Sequence, residues 1–486
     1  MNLKINGINI NVVWLIFSFC ILICLLASIW LFRNENKLGL AFFLIPFILI
    51  LLYNVFSNSV FGLILVIIAN YYVMGIARYA PGPLGLTIDA LLVLTWISLA
   101  FSQFNKSVDW KRLHNLPTYC AVIWFCYTLF QLFNPEAVSR VAWFYAMRGV
   151  SLYMLLTIPL CFLLFNQPKY LHLFLKLWSI FTVTAVLKGI QQHVLGPDPF
   201  EQHWLATIGG KTHLLPGGLR VFSFFTDAAT YGGSMGYSGV VFGIIGLKMP
   251  NAKLKWWYLF VSAAAFYGML ISGTRGAIAV PFAGLTLYAV LSKNFKILFG
   301  GLLIVITAYS FLKFTTIGNS VYEIRRFRTG LNPDNPSLQV RLDNQKKLKT
   351  YLASRPFGGG IGTSGNWGLR FSPGTFLAEI PTDSWYVMIW AEQGRVGLYL
   401  HLSILFTIIA RSSWLIMFQI KDKELANTAA ALCAGMFGIM AASYGSGALG
   451  QMPNGVYVYI SIAFIFMIAE WDNKKHLPLK NSKDHS

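Results

Sequence analysis

Six arginines, Arg78, Arg140, Arg148, Arg220, Arg275 and Arg395, stand at or beside the ends of apolar runs. A side chain that keeps its charge opposes insertion into lipid there, so an anionic partner is called for. Guanidinium is a planar fork that takes two phosphate oxygens at once, whereas an ammonium is a point charge. The chemistry this set suits is the grip on a diphosphate. Two carboxylates, Asp383 and Glu392, stand at and within the start of a late apolar run and add candidate acid–base groups. Their spacing of nine residues is two and a half helical turns, roughly 14 Å along the axis, so they do not act as a pair on one bond. His193, His203 and His213 recur every ten residues with no cysteine beside them, wider than zinc ligands usually stand, and no metal site is expected. Trp204, Phe222 and Phe224 among them suit stacking on sugar rings.

The elements that must position these groups follow from composition. Of 486 residues 56% are apolar and 12% charged, too few charges for an ordinary soluble domain and too many apolar residues for disorder. Apolar stretches fall near 10–32, 39–56, 60–77, 84–104, 115–133, 146–165, 170–189, 229–247, 256–272, 276–292, 295–314, 384–418, 426–446 and 452–470. Several are short for a hydrocarbon core, and only Ser57, Asn58 and Ser59 divide the second from the third, so about twelve to fourteen spans are expected. The first, preceded by Lys4, is too long for a signal-peptide core and reads as a retained span. Cys20, Cys24, Cys120, Cys126, Cys161 and Cys433 lie inside apolar runs and read as packing residues. The expected fold is an all-α polytopic transmembrane helix bundle. Residues 1–315 form the bundle with an outer loop at 190–228, 316–381 a large outer loop with helical content, 382–472 the C-terminal helices and 473–486 a tail.

Short loops on the cytoplasmic side carry the Lys and Arg excess. Placing the N-terminus inside collects Lys106, Lys111, Arg112, Lys169, Lys248, Lys253, Lys255, Lys293, Lys296, Lys421, Lys423, Lys474 and Lys475 on that side. Both long polar segments then fall outside. Only Arg112 and Arg411 lie inside, so lysine and arginine are sorted to opposite faces. Ordinary phospholipid phosphates explain a single outer arginine by snorkelling, but explain all six together less well.

Within 316–381, Arg325, Arg326 and Arg328 cluster, Pro333 and Pro336 break the chain, and Ser337 is a good cap for a helix over 338–353 with Leu338, Leu342, Leu348 and Leu352 as its apolar stripe. Arg355-Pro356 ends it, and Gly358 to Gly362 forms a flexible turn that lets backbone pass close to a neighbour or ligand. It lacks the Lys-Ser or Lys-Thr of a nucleotide loop.

Asn134-Pro135 with Ser139, Trp143 and Arg148, then Arg220-Val221-Phe222-Ser223 with Asp227, then Ser272-Gly273-Thr274-Arg275-Gly276, then Arg355 to Gly362, and finally Asp383-Ser384-Trp385-Tyr386 and Glu392-Gln393-Gly394-Arg395 follow one another over residues 134–397. In order and spacing the chain resembles the O-antigen ligase and polysaccharide polymerase superfamily of bacterial inner-membrane glycosyltransferases. The family commonly has His-Asn where this chain has Asp383-Ser384.

The resemblance implies an enzyme that moves a glycan from a polyprenyl-diphosphate carrier to a hydroxyl acceptor, another glycan or lipid A core, at the periplasmic face. It needs no metal or cofactor, and its partners are the donor, the acceptor and membrane lipids, not nucleic acid. Both termini are then cytoplasmic. Arg220 and Arg275 would hold the diphosphate with Arg148 and Arg395 assisting, Asp383 would act as base, and Glu392 would orient an arginine or the helix start. An unperturbed carboxylate is a weak base at neutral pH. The rival reading is a transporter or flippase of lipid-linked glycans, which predicts internal repeats and a site near the midplane; no repeat stands out.

Overall fold

The computed structural model describes residues 2–5, 8–11, 38–80, 82, 84–104, 107–215, 218–320, 322–330 and 336–476. The expected first span, with Cys20 and Cys24, lies outside these except for residues 10 and 11, as do Lys106, Pro333 and the tail beyond 476. Residues 10 and 11 close a short antiparallel hairpin of β1 (Asn2–Ile5) and β2 (Ile8–Asn11).

The rest is almost entirely helical, the form in which an apolar segment satisfies its own backbone in lipid. In chain order come α1 (Leu38–Ser57), α2 (Ser59–Ile76), α3 (Leu86–Ser102), α4 (Leu116–Phe130), α5 (Arg140–Met147), α6 (Tyr153–Leu164), α7 (Pro168–Val194) and α8 (Pro199–Trp204). A two-residue-stranded hairpin of β3 (Leu214–Leu215) and β4 (Gly218–Leu219) leads to α9 (Ala228–Lys248), α10 (Ala252–Ile271), α11 (Ala279–Leu291) and α12 (Phe295–Phe314). The second long segment holds α13 (Tyr322–Gly330), α14 (Pro336–Tyr351) and α15 (Gly365–Phe371), before α16 (Trp385–Trp414), α17 (Lys423–Ala442) and α18 (Asn454–His476).

Eight helical stretches among the described residues are long and apolar enough to cross a membrane, with four shorter apolar helices besides. The protein is a multi-pass membrane protein of all-α class. Helix α9 is too rich in Gly, Ser and Tyr to count among the eight; it is instead wrapped by neighbours, and its small residues let α10 and α11 approach closely. Helix starts carry the polar caps that unsatisfied N–H groups require: Asn115 accepts from Thr118, Ser139 from Ala142, Asp227 from Thr230, Asn251 from Lys253, Asn294 from Lys296, Ser384 from Val387 and Asp422 from Glu424.

The described chain divides into two units. In the smaller, residues 1–65 and 90–108, the Ser59 and Ser98 hydroxyls meet at 2.8 Å and Ser98 donates to the Val55 carbonyl, tying α1, α2 and α3. The larger, residues 66–89 and 109–486, holds every candidate site residue. At one of its ends Arg112 approaches Glu470 at 3.9 Å, Asp472 accepts from the Lys421 N–H and Lys475 pairs with Asp422, so the turn before α4, the turn before α17 and the end of α18 gather there. Parts of both long polar segments border the turn between α10 and α11, through Arg220 and Arg326.

The amphipathic helix of the second segment begins at Pro336, one residue before the expected cap, a position where proline's missing N–H costs nothing. Only the later half of its leucine stripe is used: Leu348 and Leu352 pack with Leu377, Ile380 and Ala391, while Leu338 and Leu342 stay exposed.

Candidate functional site

Helices α17 and α18 are joined by a Ser- and Gly-rich turn, residues 443–453, on which four other parts of the larger unit converge. The Trp385 N–H donates to the carbonyls of Ser443 and Ser446, both at 3.0 Å, and the Ser384 hydroxyl to Ser443 at 3.3 Å, which fixes the start of α16. The Gln451 side-chain oxygen accepts from Thr226 at 3.2 Å and from Thr230, and Asn454 donates to the Thr230 carbonyl at 3.4 Å, which fixes the start of α9. A Cβ on Gly149 would stand 3.1 Å from the Gly450 carbonyl, and one on Gly276 would stand 4.0 Å from that of Gly445. The residues immediately beside these four contacts are Asp383, Asp227, Arg148 and Arg275. Sequence reasoning missed the turn, because serine and glycine carry little chemistry of their own; Tyr444, exposed within it, was equally unmarked.

Arg220 and Arg275 are brought together at the α10–α11 turn. Arg220 Nη2 donates to Thr274 Oγ1 at 2.9 Å, and Thr274 in turn donates to the Ala228 carbonyl at 2.9 Å, linking the first long segment, the turn and α9. Arg220 Nη1 donates to the Thr212 carbonyl at 3.0 Å. The turn needs a left-handed residue, Gly273 at φ +57°, and Arg275 follows at the head of a short tight helix, Arg275–Ile278. Helix α13 lies directly above: a Cβ on Gly330 would come 3.1 Å from Arg275 Cβ, and one on Gly273 would come 3.5 Å from Arg326 Cδ. Three guanidinium side chains from three chain regions therefore border one turn.

Arg148 occupies a widened helical turn between α5 and α6, Arg148–Leu152, and bonds to Asp89 at 2.8 Å, with the Tyr153 hydroxyl also on that carboxylate. Asp89 is thus the partner of a candidate binding residue 59 positions away. Arg395 donates to the Ala353 carbonyl at 3.1 Å, tying α16 to the end of α14. Arg78 is a staple: it donates to the carbonyls of Ser223 and Phe225 and lies 4.6 Å and 4.4 Å from the ring centroids of Trp204 and Phe222. Those two rings, expected to stack on sugar, instead build the small core of the first long segment with Leu205 and Ala228, and Phe224 packs against Gly75 and Tyr72.

Glu392 does not meet an arginine. Its Oε1 accepts from the Ser364 N–H at 3.2 Å and from the Ser364 hydroxyl at 2.8 Å, so it holds the start of α15 rather than of its own helix. Helix α16 is broken there, at Gly394 with φ +69°, and the glycine turn runs through the break: the Gly359 and Gly360 N–H groups donate to the carbonyls of Ala391 and Glu392 at 3.0 Å and 2.8 Å. The close approach of backbone expected of that turn is an approach to α16. Asp383 is exposed and pairs with Arg341 of α14 at 3.2 Å. The two acids stay apart.

Of the three histidines, His213 is buried. Its Nε2 accepts from the Ala228 N–H at 3.2 Å, which assigns the ring proton to Nδ1, donating to the Gly209 carbonyl at 2.8 Å. Together with Asp227 it caps α9, and burial holds its imidazole below the usual histidine range. No group of three or more His, Cys, Asp or Glu able to hold a metal occurs among the described residues. Beneath the turn, Trp124, Val150, Trp385, His401, Leu449 and Tyr459 line a small apolar cavity in which the Trp385 indole donates to His401 Nε2 at 3.0 Å. No family model matches the chain, and no curated protein matches it.

Proposed function

We propose that the chain is a membrane glycosyltransferase of the O-antigen ligase and polysaccharide polymerase type, transferring a glycan from a polyprenyl-diphosphate carrier to a hydroxyl of a second glycan or of lipid A core. The observation that carries this reading is the meeting of Arg220, Arg275 and Arg326 at the Thr274 turn, beside the 443–453 hub, where parts of both long polar segments lie. Arg112, Lys421 and Lys475, gathered at another end of the larger unit, favour that end as cytoplasmic and the Thr274 turn as periplasmic in a bacterial inner membrane.

In this mechanism the acceptor hydroxyl oxygen forms a bond to the sugar carbon linked to diphosphate, and the carbon–oxygen bond to the diphosphate breaks. The electron pair leaves with the diphosphate, and the developing charge is stabilised by guanidinium groups already in place. Arg220 and Arg275 bind the diphosphate, Arg326 closes over it from α13, and Arg148, held by Asp89, assists from one residue before the Gly149 approach to the hub. Asp383, exposed beside the start of α16, accepts the hydroxyl proton. Glu392 and Arg395 are positioning residues, since both act on the junction of α14, α15 and α16.

Full-length protein in phospholipid vesicles, supplied with a lipid-linked oligosaccharide and either lipid A core or a second lipid-linked repeat, tests the reading. The expected products are a larger glycan conjugate and free polyprenyl diphosphate. Donor that crosses the bilayer unchanged, with no new conjugate, contradicts it.

A further inference from the structure

Residues 194–215 connect α7 to the β3–β4 hairpin and were read from sequence as part of a polar outer loop, yet their polarity in the fold is inverted. The carboxylates point inward: Glu201 is 0% exposed, bonded to Gln192 at 2.7 Å and paired with Lys188 at 3.1 Å. Asp198 caps α8 and takes Lys188 at 2.9 Å as well as the Tyr79 hydroxyl. His213 is buried too. The side chains turned outward are Val194, Leu195, Phe200, Ile208 and Leu214, with Leu195 80% and Ile208 75% exposed. Among the described side chains, the polar residues exposed with them, Gln202, His203, Thr207 and Thr212, carry no permanent charge.

A water-facing loop shows the opposite arrangement. Moreover, the apolar surface is continuous with that of a membrane span. Ile180, Leu187 and Val194, seven residues apart, form an exposed apolar stripe along α7, and Leu195 carries it into the loop. On the other flank Ile76 is exposed at the end of α2, and the Tyr79 ring lies 5.4 Å from Phe200. We propose that residues 194–215 are immersed in the bilayer, their outer apolar surface lying among the lipid acyl chains at the arginine end of the larger unit.

Each uncompensated charge removed from the outer surface lowers the cost of such immersion, and the Lys188–Glu201–Asp198 cluster does this without leaving the carboxylates unpaired. The segment then forms a shelf at the depth where head groups meet acyl chains, carrying Arg220 a few residues further along the chain.

The test uses full-length protein in vesicles of phosphatidylethanolamine and phosphatidylglycerol, with benzoylphenylalanine placed singly at Leu195, Ile208 or, as a water-facing control, the exposed Lys347 of α14. Irradiation should yield phospholipid adducts at 195 and 208 and none at 347. A second measurement attaches a nitroxide to Ile208→Cys in a Cys126→Ser parent, with the parent's signal subtracted. Oxygen should collide with it more often than a water-soluble nickel chelate. Absence of lipid adducts at both 195 and 208, cross-linking of two protein copies there instead, or a nickel chelate colliding more often than oxygen would each overturn the proposal.

Discussion

Arg148 bonds to Asp89 at 2.8 Å, joining the break between α5 and α6 to the first turn of α3, with both side chains mostly withdrawn from solvent. An ion pair so placed offsets a desolvation cost that neither partner bears alone. Arg148→Gln or Asp89→Asn should each destabilise the protein by about 3 kcal/mol, and the double variant should lose less than the sum. Thermal unfolding of the four proteins in one detergent measures the coupling; strict additivity would show that the pair is not coupled.

Pro356 to Gly360 and the break at Gly394 are built on mutual backbone contact. Gly358 has φ +74° and Gly394 φ +69°, and a Cβ on either would sit inside the other strand's backbone. Gly358→Ala or Gly394→Ala should therefore cost about 3 kcal/mol or more, combining left-handed strain with overpacking. Gly196, at φ +84° with nothing within 4 Å, pays only the strain, about 1 kcal/mol. The yield of monodisperse protein on size exclusion should rank Gly196→Ala well above the other two.

The bond between Glu392 and Ser364 requires an acceptor oxygen. Glu392→Gln keeps one, and should leave both fold and transfer close to wild type. Glu392→Leu leaves the Ser364 N–H and hydroxyl buried without it, at a cost of about 2 kcal/mol. If Glu392→Gln abolishes transfer while unfolding at the wild-type temperature, Glu392 takes part in the chemistry rather than in positioning.

His213, held below its usual range by burial, binds a proton less readily folded than unfolded. Its contribution is fully present above the unfolded value near 6.5 and falls as pH drops below it towards the folded value. His213→Gln can still accept from Ala228 and donate to Gly209. It should lower Tm at pH 7.5 yet flatten the Tm difference between pH 7.5 and 5.5; an unchanged slope would assign the pH dependence to other groups.

The helices were legible because lipid leaves an apolar run of that length few alternatives. Arg220 and Arg275 were legible as candidates because a cation beside an apolar run is costly. Their neighbours were not. Asp89 lies far from Arg148 in sequence, and the 443–453 hub works through backbone carbonyls that any residue supplies. Arg78 was misread because nothing in the sequence says that Trp204 and Phe222 close on it. The first long segment looked polar because a sequence lists its carboxylates without showing that Lys188 takes them inward.

The central claim is that Arg220 and Arg275 hold the departing diphosphate. Transfer from a lipid-linked oligosaccharide should be lost in Arg220→Ala and Arg275→Ala proteins that insert and unfold like wild type. The lysine variants should recover only part of it, because a point charge does not reproduce a fork. Product formed at the wild-type rate by both alanine variants would contradict the account.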